Sequence, residues 1–177
     1  MYTQGLTIVH TGNGKGKTTA ALGLALRAWG QNLRVLIIQF IKGNSKYGEL
    51  NALAALPGDN IKIIQMGEGF THRDNGISQD EHISAAKKAL QTAIDAESSD
   101  NWDMIILDEI NYAVKFNLLT VDDVLKVVDN KPQDLHLILT GRDASDKIIA
   151  KADLVTEMTE IKHPYKQGIK AQKGIEF

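Results

Sequence analysis

The chain has 177 residues, which suits one domain with one sizeable core, and we expect residues 1–177 to form a single domain. A formal net charge of −2 argues against a broad basic surface for nucleic acid, and the lack of cysteine excludes disulfides, thiolate metal sites and cysteine nucleophiles. No apolar run is long enough to span a membrane, and residues 1–4 do not begin a signal peptide, so we expect a cytoplasmic protein without a membrane partner.

Predicted strands and helices alternate along the chain. In chain order, we expect a strand at 6–10, a helix at 18–29, a strand at 35–40, a helix at 49–56, a strand at 61–66, a helix at 78–96, a strand at 104–108, a helix at 120–128, a strand at 135–140, a helix at 144–151 and a strand at 154–161. The nearly continuous apolar run at 35–40 is typical of a parallel strand buried on both faces. Ser78 and Glu81 have the spacing of a capping box, which marks the start of a long helix. The alternation predicts an α/β protein with a three-layer P-loop (RecA-like) fold and a mostly parallel central sheet.

A glycine-rich turn joins the first predicted strand to the first predicted helix. Gly12, Gly14 and Gly16 have no Cβ atom and can adopt positive φ, so successive backbone N–H groups can point towards one phosphate. The following helix adds its positive end, Lys17 supplies a charge for the outer phosphates, and the Thr18 hydroxyl can bind Mg²⁺. We therefore expect the turn to bind a nucleotide through Gly12, Asn13, Gly14, Lys15, Gly16, Lys17, Thr18 and Thr19.

This turn departs from the usual phosphate-loop pattern G-x-x-x-x-G-K-[ST]. The pattern requires glycine at position 11, where this chain has Thr11, and the first glycine follows one residue later at Gly12. The alternative is a glycine- and lysine-rich surface turn without a ligand. Because the turn lies between a strand and a helix, we predict a variant phosphate loop instead.

Two adjacent acidic residues end the strand predicted at 104–108. Asp108 and Glu109 are placed at the carboxyl edge of the sheet, where open α/β folds bind ligands. Mg²⁺ usually takes one or two protein carboxylates together with phosphate oxygens and water. We therefore predict a magnesium site formed by Thr18, Asp108 and Glu109; the alternative is a solvated helix N-terminus.

Two arginines are candidates for the same site, because arginine binds phosphate oxygens through two parallel hydrogen bonds. Arg142 follows the strand predicted at 135–140 and therefore lies at the correct edge of the sheet. Arg27 lies on the helix after the phosphate loop, and its alternative role is an ordinary surface charge. The five histidines have no metal-ligand spacing.

Several segments together resemble the bacterial ATP:corrinoid adenosyltransferases. They are residues 11–19, 39–43, 67–71, 107–109, 140–142, His163 and 170–175. The resemblance covers essentially the whole chain, and the displaced first glycine of the phosphate loop is itself a trait of that family. It implies an enzyme that uses ATP and a reduced corrinoid, cob(I)alamin or a precursor of it, in the biosynthesis or salvage of adenosylcobalamin.

The resemblance also implies a mechanism. ATP lies in the loop in the reversed sense, the 5′ carbon of its ribose is attacked by the cobalt(I) of the corrinoid, and tripolyphosphate leaves. Lys17, Glu109 and Arg142 would then be the catalytic residues, because they hold and neutralise the leaving group with Mg²⁺, or alternatively Mn²⁺. Asn13 would contact the ribose. No general base is needed, since the nucleophile carries no proton.

On the corrinoid side, the family packs aromatic side chains under the ring. Phe70 matches this pattern, whereas His72 stands where the family has tryptophan. The first predicted strand begins close to Met1, whereas relatives often have an additional N-terminal segment over the corrinoid. The resemblance further implies a homodimer and an external reductant, for which we expect a reduced flavoprotein.

Two other functions remain open from the sequence. An ordinary P-loop NTPase or small-molecule kinase would cleave ATP at the γ-phosphate and release ADP. A non-enzymatic module would bind nucleotide or corrinoid without turnover. The displaced glycine of the phosphate loop argues against the first alternative, whereas His72 and the short N-terminus keep the second open.

Overall fold

The fold is built on a six-stranded sheet with the strand order β3-β2-β4-β5-β1-β6, and all adjacent strands are parallel. The computed structural model describes residues 4–43, 47–69 and 76–177. Its strands are β1 (Thr7–Thr11), β2 (Val35–Gln39), β3 (Ile61–Gln65), β4 (Met104–Asp108), β5 (His136–Thr140) and β6 (Leu154–Glu157). Its helices are α1 (Lys17–Trp29), α2 (Gly48–Ala54), α3 (Gln79–Glu97), α4 (Ile110–Lys115), α5 (Val121–Asn130) and α6 (Asp146–Ile149), followed by a 3₁₀ turn at Pro164–Gln167.

Hydrophobic cores cover both faces of the sheet. One core packs α1 against alternate strand residues such as Ile37 and Ile106, and the other packs α3 and α5 against their neighbours Ile38 and Leu107. Successive strand residues point to opposite faces, so strands covered on both sides need continuous apolar runs. The predicted α/β class, with three layers and a parallel central sheet, is confirmed.

The boundaries of the predicted elements differ from the observed ones mainly near the carboxyl edge of the sheet. The capping box at Ser78 is confirmed, and Thr120 forms a second one at the start of α5. The strand predicted at 154–161 ends at Glu157, because its partner β1 ends at Thr11, the residue paired with Glu157. The predicted helix at 144–151 is shortened to α6, and the short helix α4 was not predicted.

The parallel arrangement brings the carboxyl ends of the strands to one edge. Gln65, Gln39 and Asp108 lie side by side there, and Thr140 lies beside His10. The phosphate loop follows β1 at the same edge. Within the described ranges, no helix has the length and apolar character needed to cross a lipid bilayer.

A buried carboxyl group at the end of α3 has consequences for stability. Glu97 is 7% exposed, and its Oε1 has no hydrogen-bond partner among the described residues. Burial raises the pKa of Glu97 to about 8, against the opposing charge of Lys131. Because the pKa of Glu97 is higher in the folded protein than its usual value of 4.5, the folded protein loses stability as the pH rises from 4.5 through about 8.

We expect Glu97→Gln to have a higher free energy of unfolding than the wild type near pH 9, because the variant has no buried carboxylate to ionise. Near pH 4 the two proteins should have similar stabilities, since the carboxyl is then protonated in both the folded and the unfolded state. Urea unfolding at several pH values measures the difference. Asp95→Asn, an exposed change on the same helix, is the control and should show no such trend. An equal effect of Glu97→Gln at all pH values would contradict the prediction.

Candidate active site

A cavity of about 630 Å³ opens at the carboxyl edge of the sheet, beside the phosphate loop. Within the described part of the chain, four basic side chains line it: Lys15, Lys17, Lys42 and Arg142. The other lining residues come from the phosphate loop and α1 (Gly14, Gly16, Thr18, Thr19, Leu22), the region of α2 (Tyr47, Gly48, Glu49), the start of α4 (Glu109, Tyr112) and the segment after β6 (His163, Gly174, Ile175, Glu176, Phe177). In this lining the four basic groups outnumber the three glutamates, which suits a polyanionic ligand.

The phosphate loop has the backbone geometry that its glycines allow. Gly12 and Gly16 have φ values of 91° and 107°, and Gly16 precedes the first residue of α1. Gly14 does not have positive φ and is needed for a different reason. A Cβ atom there would lie 2.7 Å from the carbonyl oxygen of Met158, which accepts a hydrogen bond from the Gly14 N–H at 2.6 Å. The loop is thus fixed against the end of β6.

Lys17 is folded back onto the phosphate loop. Its Nζ donates to the carbonyl oxygens of Gly12 and Gly14, each at 2.7 Å, and the residue is 8% exposed. Burial lowers the pKa of the Lys17 ammonium from its usual value, partly opposed by the charge of Glu109. The ammonium therefore lies at the base of the cavity, with two neutral carbonyls as hydrogen-bond acceptors.

Asp108 is the centre of a buried hydrogen-bond network. Its Oδ1 accepts hydrogen bonds from the hydroxyls of Thr18 and Thr140, both at 2.8 Å. Its Oδ2 accepts one from Gln39 Nε2 at 3.0 Å and lies 3.3 Å from Lys42 Nζ. Both oxygens are therefore engaged by the protein, and Asp108 fixes the orientation of the Thr18 hydroxyl.

Glu109 has a different environment from its neighbour. It adopts a left-handed conformation with φ of 66°, and its N–H donates to the Thr140 hydroxyl at 2.9 Å. Its Oε2 is buried and has no hydrogen-bond partner in residues 4–43, 47–69 and 76–177. Burial, together with the charge of Asp108, raises the pKa of Glu109 to about 7. A left-handed backbone conformation and a carboxyl group with a raised pKa beside a cavity are together typical of a ligand-binding position.

Lys42 was not predicted as a site residue, although it belongs to one of the segments on which the resemblance rests. Its Nζ lies 2.9 Å from Glu49 and 4.7 Å from the centre of the Tyr47 ring. Burial acts to lower the pKa of Lys42, but Asp108 and Glu49 raise it above its usual value. The available signal was position, since Lys42 closely follows the carboxyl end of β2.

Comparison with known proteins agrees with this geometry. The model of the ATP:corrinoid adenosyltransferase family, BtuR/CobO/CobP, matches residues 3–177. The chain belongs to the ATP:corrinoid adenosyltransferase family.

Curated relatives match over nearly the whole chain. A corrinoid adenosyltransferase from Sinorhizobium sp. is 40% identical over 98% of this chain and 81% of its own length. Those of Pseudomonas aeruginosa and Escherichia coli K12 are 40% and 37% identical, each over 98% of this chain and over 84% and 86% of their own lengths, respectively. The resemblance seen in the sequence is thereby confirmed.

The structure brings most of the predicted adenosyltransferase site together, with one clear exception. Lys15, Lys17, Thr18, Thr19, Glu109 and Arg142 line the cavity, and Asp108 contacts Thr18. Arg27 does not lie there: it is exposed in the last turn of α1, about 15 Å along the helix axis from Lys17. The helix carries its side chain away from the phosphate loop, as the surface-charge alternative requires.

Two further groups of predicted residues complete this comparison. Asn13 is exposed in the loop, and Gly12 contributes the carbonyl that accepts from Lys17. Phe70 and His72, the predicted corrinoid contacts, lie outside the described residues. Residues of the segment after β6 also line the cavity, although their residue types did not predict a role in the site.

Proposed function

We propose that this chain transfers the 5′-deoxyadenosyl group of ATP to the cobalt(I) of a corrinoid and releases tripolyphosphate. The observation that carries the proposal is that four basic side chains of the described residues converge on one cavity beside the phosphate loop: Lys15, Lys17, Lys42 and Arg142. A departing tripolyphosphate carries several negative charges, so fixed positive groups stabilise the transition state more than the bound ATP. Membership of the ATP:corrinoid adenosyltransferase family supports this choice of substrates.

The residues present fit a magnesium ion. The Glu109 Oε2 is a buried carboxylate oxygen that no described residue hydrogen-bonds, and the Thr18 hydroxyl oxygen lies at the start of α1. These are hard oxygen donors of the kind that Mg²⁺, or alternatively Mn²⁺, binds together with phosphate oxygens. Glu109 and Thr18 would hold the ion directly, and Asp108 would hold Thr18 in place. When bound, the cation supplies neutralisation of negative charge on the phosphates.

The residues of the chain perform the remaining work by binding and orientation. The amides of the phosphate loop and the N-terminus of α1 hold phosphate oxygens, and Arg142, which follows the neighbouring strand β5 and lines the same cavity, pairs with them. Lys17 exchanges its two loop carbonyls for phosphate oxygens when ATP enters. No residue is required to remove a proton, because the cobalt(I) nucleophile carries none, and Asn13 contacts the ribose.

Further parts of the proposal rest on the family rather than on the cavity. Phe70 and His72 contact the corrinoid, with His72 replacing the tryptophan of the family pattern. A reduced flavoprotein supplies the electrons, and the enzyme acts in the cytoplasm as a homodimer whose subunit is one domain, residues 1–177.

Product analysis tests the proposed function. The protein is incubated anaerobically with chemically reduced cobalamin, ATP and Mg²⁺, and both products are identified. We expect adenosylcobalamin and tripolyphosphate in equal amounts, and neither product when ATP is omitted. Formation of ADP and phosphate would instead identify an NTPase or kinase, and binding without turnover would identify a non-enzymatic module.

A further inference from the structure

The segment 172–177 forms part of the lining of the cavity, a wall beside the phosphate loop. Gly174, Ile175, Glu176 and Phe177 all line the cavity that the phosphate loop also lines. The segment is folded into tight turns, in which the N–H groups of Ile175 and Glu176 donate to the carbonyl of Gln172 at 3.1 and 2.8 Å. The Gly174 N–H donates to the Phe177 carbonyl at 2.8 Å. The wall therefore has a defined backbone conformation.

This wall is attached to the phosphate loop and reaches the start of α2. Lys15 forms an ion pair with Glu176, which ties the loop directly to the segment. At the other end, the backbone of Phe177 approaches Gly48, the first residue of α2. A ligand seated on the phosphate loop is thus within reach of the segment 172–177.

Two large apolar side chains in this wall are left uncovered. Ile175 is 72% exposed and Phe177 is 48% exposed, although both line the cavity. Leu22 of α1, which is partly buried, lines the same cavity. The basic side chains account for the phosphates of a nucleotide, but they offer nothing to its flat, weakly polar base. Exposed apolar groups beside a phosphate site favour burial by such a base.

We infer that Ile175 and Phe177 form the base-binding wall of the nucleotide site. The inference rests on the proposed function, because it takes a nucleotide as the ligand. The base packs against these two side chains, while the loop amides, Lys17 and Arg142 hold the phosphates. The ion pair between Lys15 and Glu176 holds this wall next to the phosphate loop.

ATP and tripolyphosphate differ by the nucleoside, so comparing their affinities separates binding of the base from binding of the phosphates. Isothermal titration calorimetry gives the dissociation constants of ATP and of tripolyphosphate, both with Mg²⁺, for the wild type and for Ile175→Ala, Phe177→Ala and the double variant. Ile161→Ala is the matched control, since Ile161 is 91% exposed but does not line the cavity. All four variants change exposed side chains, and thermal unfolding checks that each protein is folded.

We expect the double variant to bind ATP at least about tenfold more weakly, in line with the measured worth of base–aromatic stacking. Its affinity for tripolyphosphate should stay within about twofold of the wild type, and Ile161→Ala should change neither constant. Equal weakening of both ligands, or no change in either, would overturn the inference. A wild-type protein that does not bind ATP would overturn the proposed function itself, which distinguishes the two failures.

Discussion

Replacing Lys17 by methionine is expected to lower kcat/KM for ATP in adenosyl transfer by about 10²- to 10³-fold, the usual effect of removing one preorganised charge from a transition state. Lys17 is the buried cation at the base of the phosphate loop, and its Nζ already lies 2.7 Å from two loop carbonyls. Methionine keeps the apolar stem that packs at the start of α1 but has no charge for the leaving tripolyphosphate. Anaerobic steady-state kinetics, followed by the absorbance change of the corrinoid, measure the loss.

The control for this variant is Lys88→Met, which removes an equal charge from the exposed surface of α3 and should leave kcat/KM unchanged. A circular dichroism melt checks that the Lys17 variant folds, since the carbonyls of Gly12 and Gly14 lose their donor. If the folded Lys17→Met enzyme kept kcat/KM within about threefold of the wild type, Lys17 would not neutralise the leaving group.

Replacing Glu109 by glutamine should separate cation binding from stability. We expect the Mg²⁺ concentration that gives half-maximal activity to rise by about 10- to 100-fold, because an anionic oxygen is lost from the cation site. Without Mg²⁺ or ATP, the variant should melt at a higher temperature than the wild type near pH 8. The reason is that the pKa of Glu109 is raised to about 7, so ionisation of its unpaired, buried carboxyl costs stability as the pH rises from 4.5 through 7.

Asp108→Asn is the matched comparison, one residue away on the same strand end. Asp108 accepts hydrogen bonds from Thr18, Gln39 and Thr140 and lies beside Lys42. We expect Asp108→Asn to destabilise the protein by about 2 kcal/mol, because the amide of asparagine replaces one of the two oxygens that accept these hydrogen bonds with a donor. Magnesium titrations of activity and thermal melts of both variants provide the test. If Glu109→Gln were destabilised like Asp108→Asn, or kept the wild-type Mg²⁺ dependence, Glu109 would be a structural residue and not a cation ligand.

Site residues that lie close together in the sequence could be predicted, whereas most of those that lie far apart could not. The phosphate loop and Lys17 were found from contiguous residues, because glycine spacing and the adjoining helix fix the local backbone. Arg27 was misplaced for a related reason. It follows the loop closely in sequence, but ten residues of helix carry it away from the cavity. Arg142 was found through the rule that parallel strands end at one edge.

Other residues of the site were missed because their neighbours come from distant parts of the chain. Gln39 meets Asp108 only because β2 lies beside β4, and Thr140 does so only because β5 lies on the other side of β4. Lys42 depends on the same juxtaposition. The segment 172–177 gave no signal by composition, and the structure places it in the cavity, where Glu176 pairs with Lys15.

The sequence by itself determined the α/β class, the parallel sheet and the position of the phosphate loop, because helix periodicity, apolar strand runs and glycine conformations are properties of neighbouring residues. The tertiary structure decided the rest. Both carboxylate oxygens of Asp108 accept hydrogen bonds, whereas no described residue donates to the Oε2 of Glu109. The tertiary structure also places Lys42, Ile175 and Phe177 in the lining of the cavity. Burial and hydrogen bonding depend on which strands and segments become neighbours. Strand order, and not local sequence, sets those contacts.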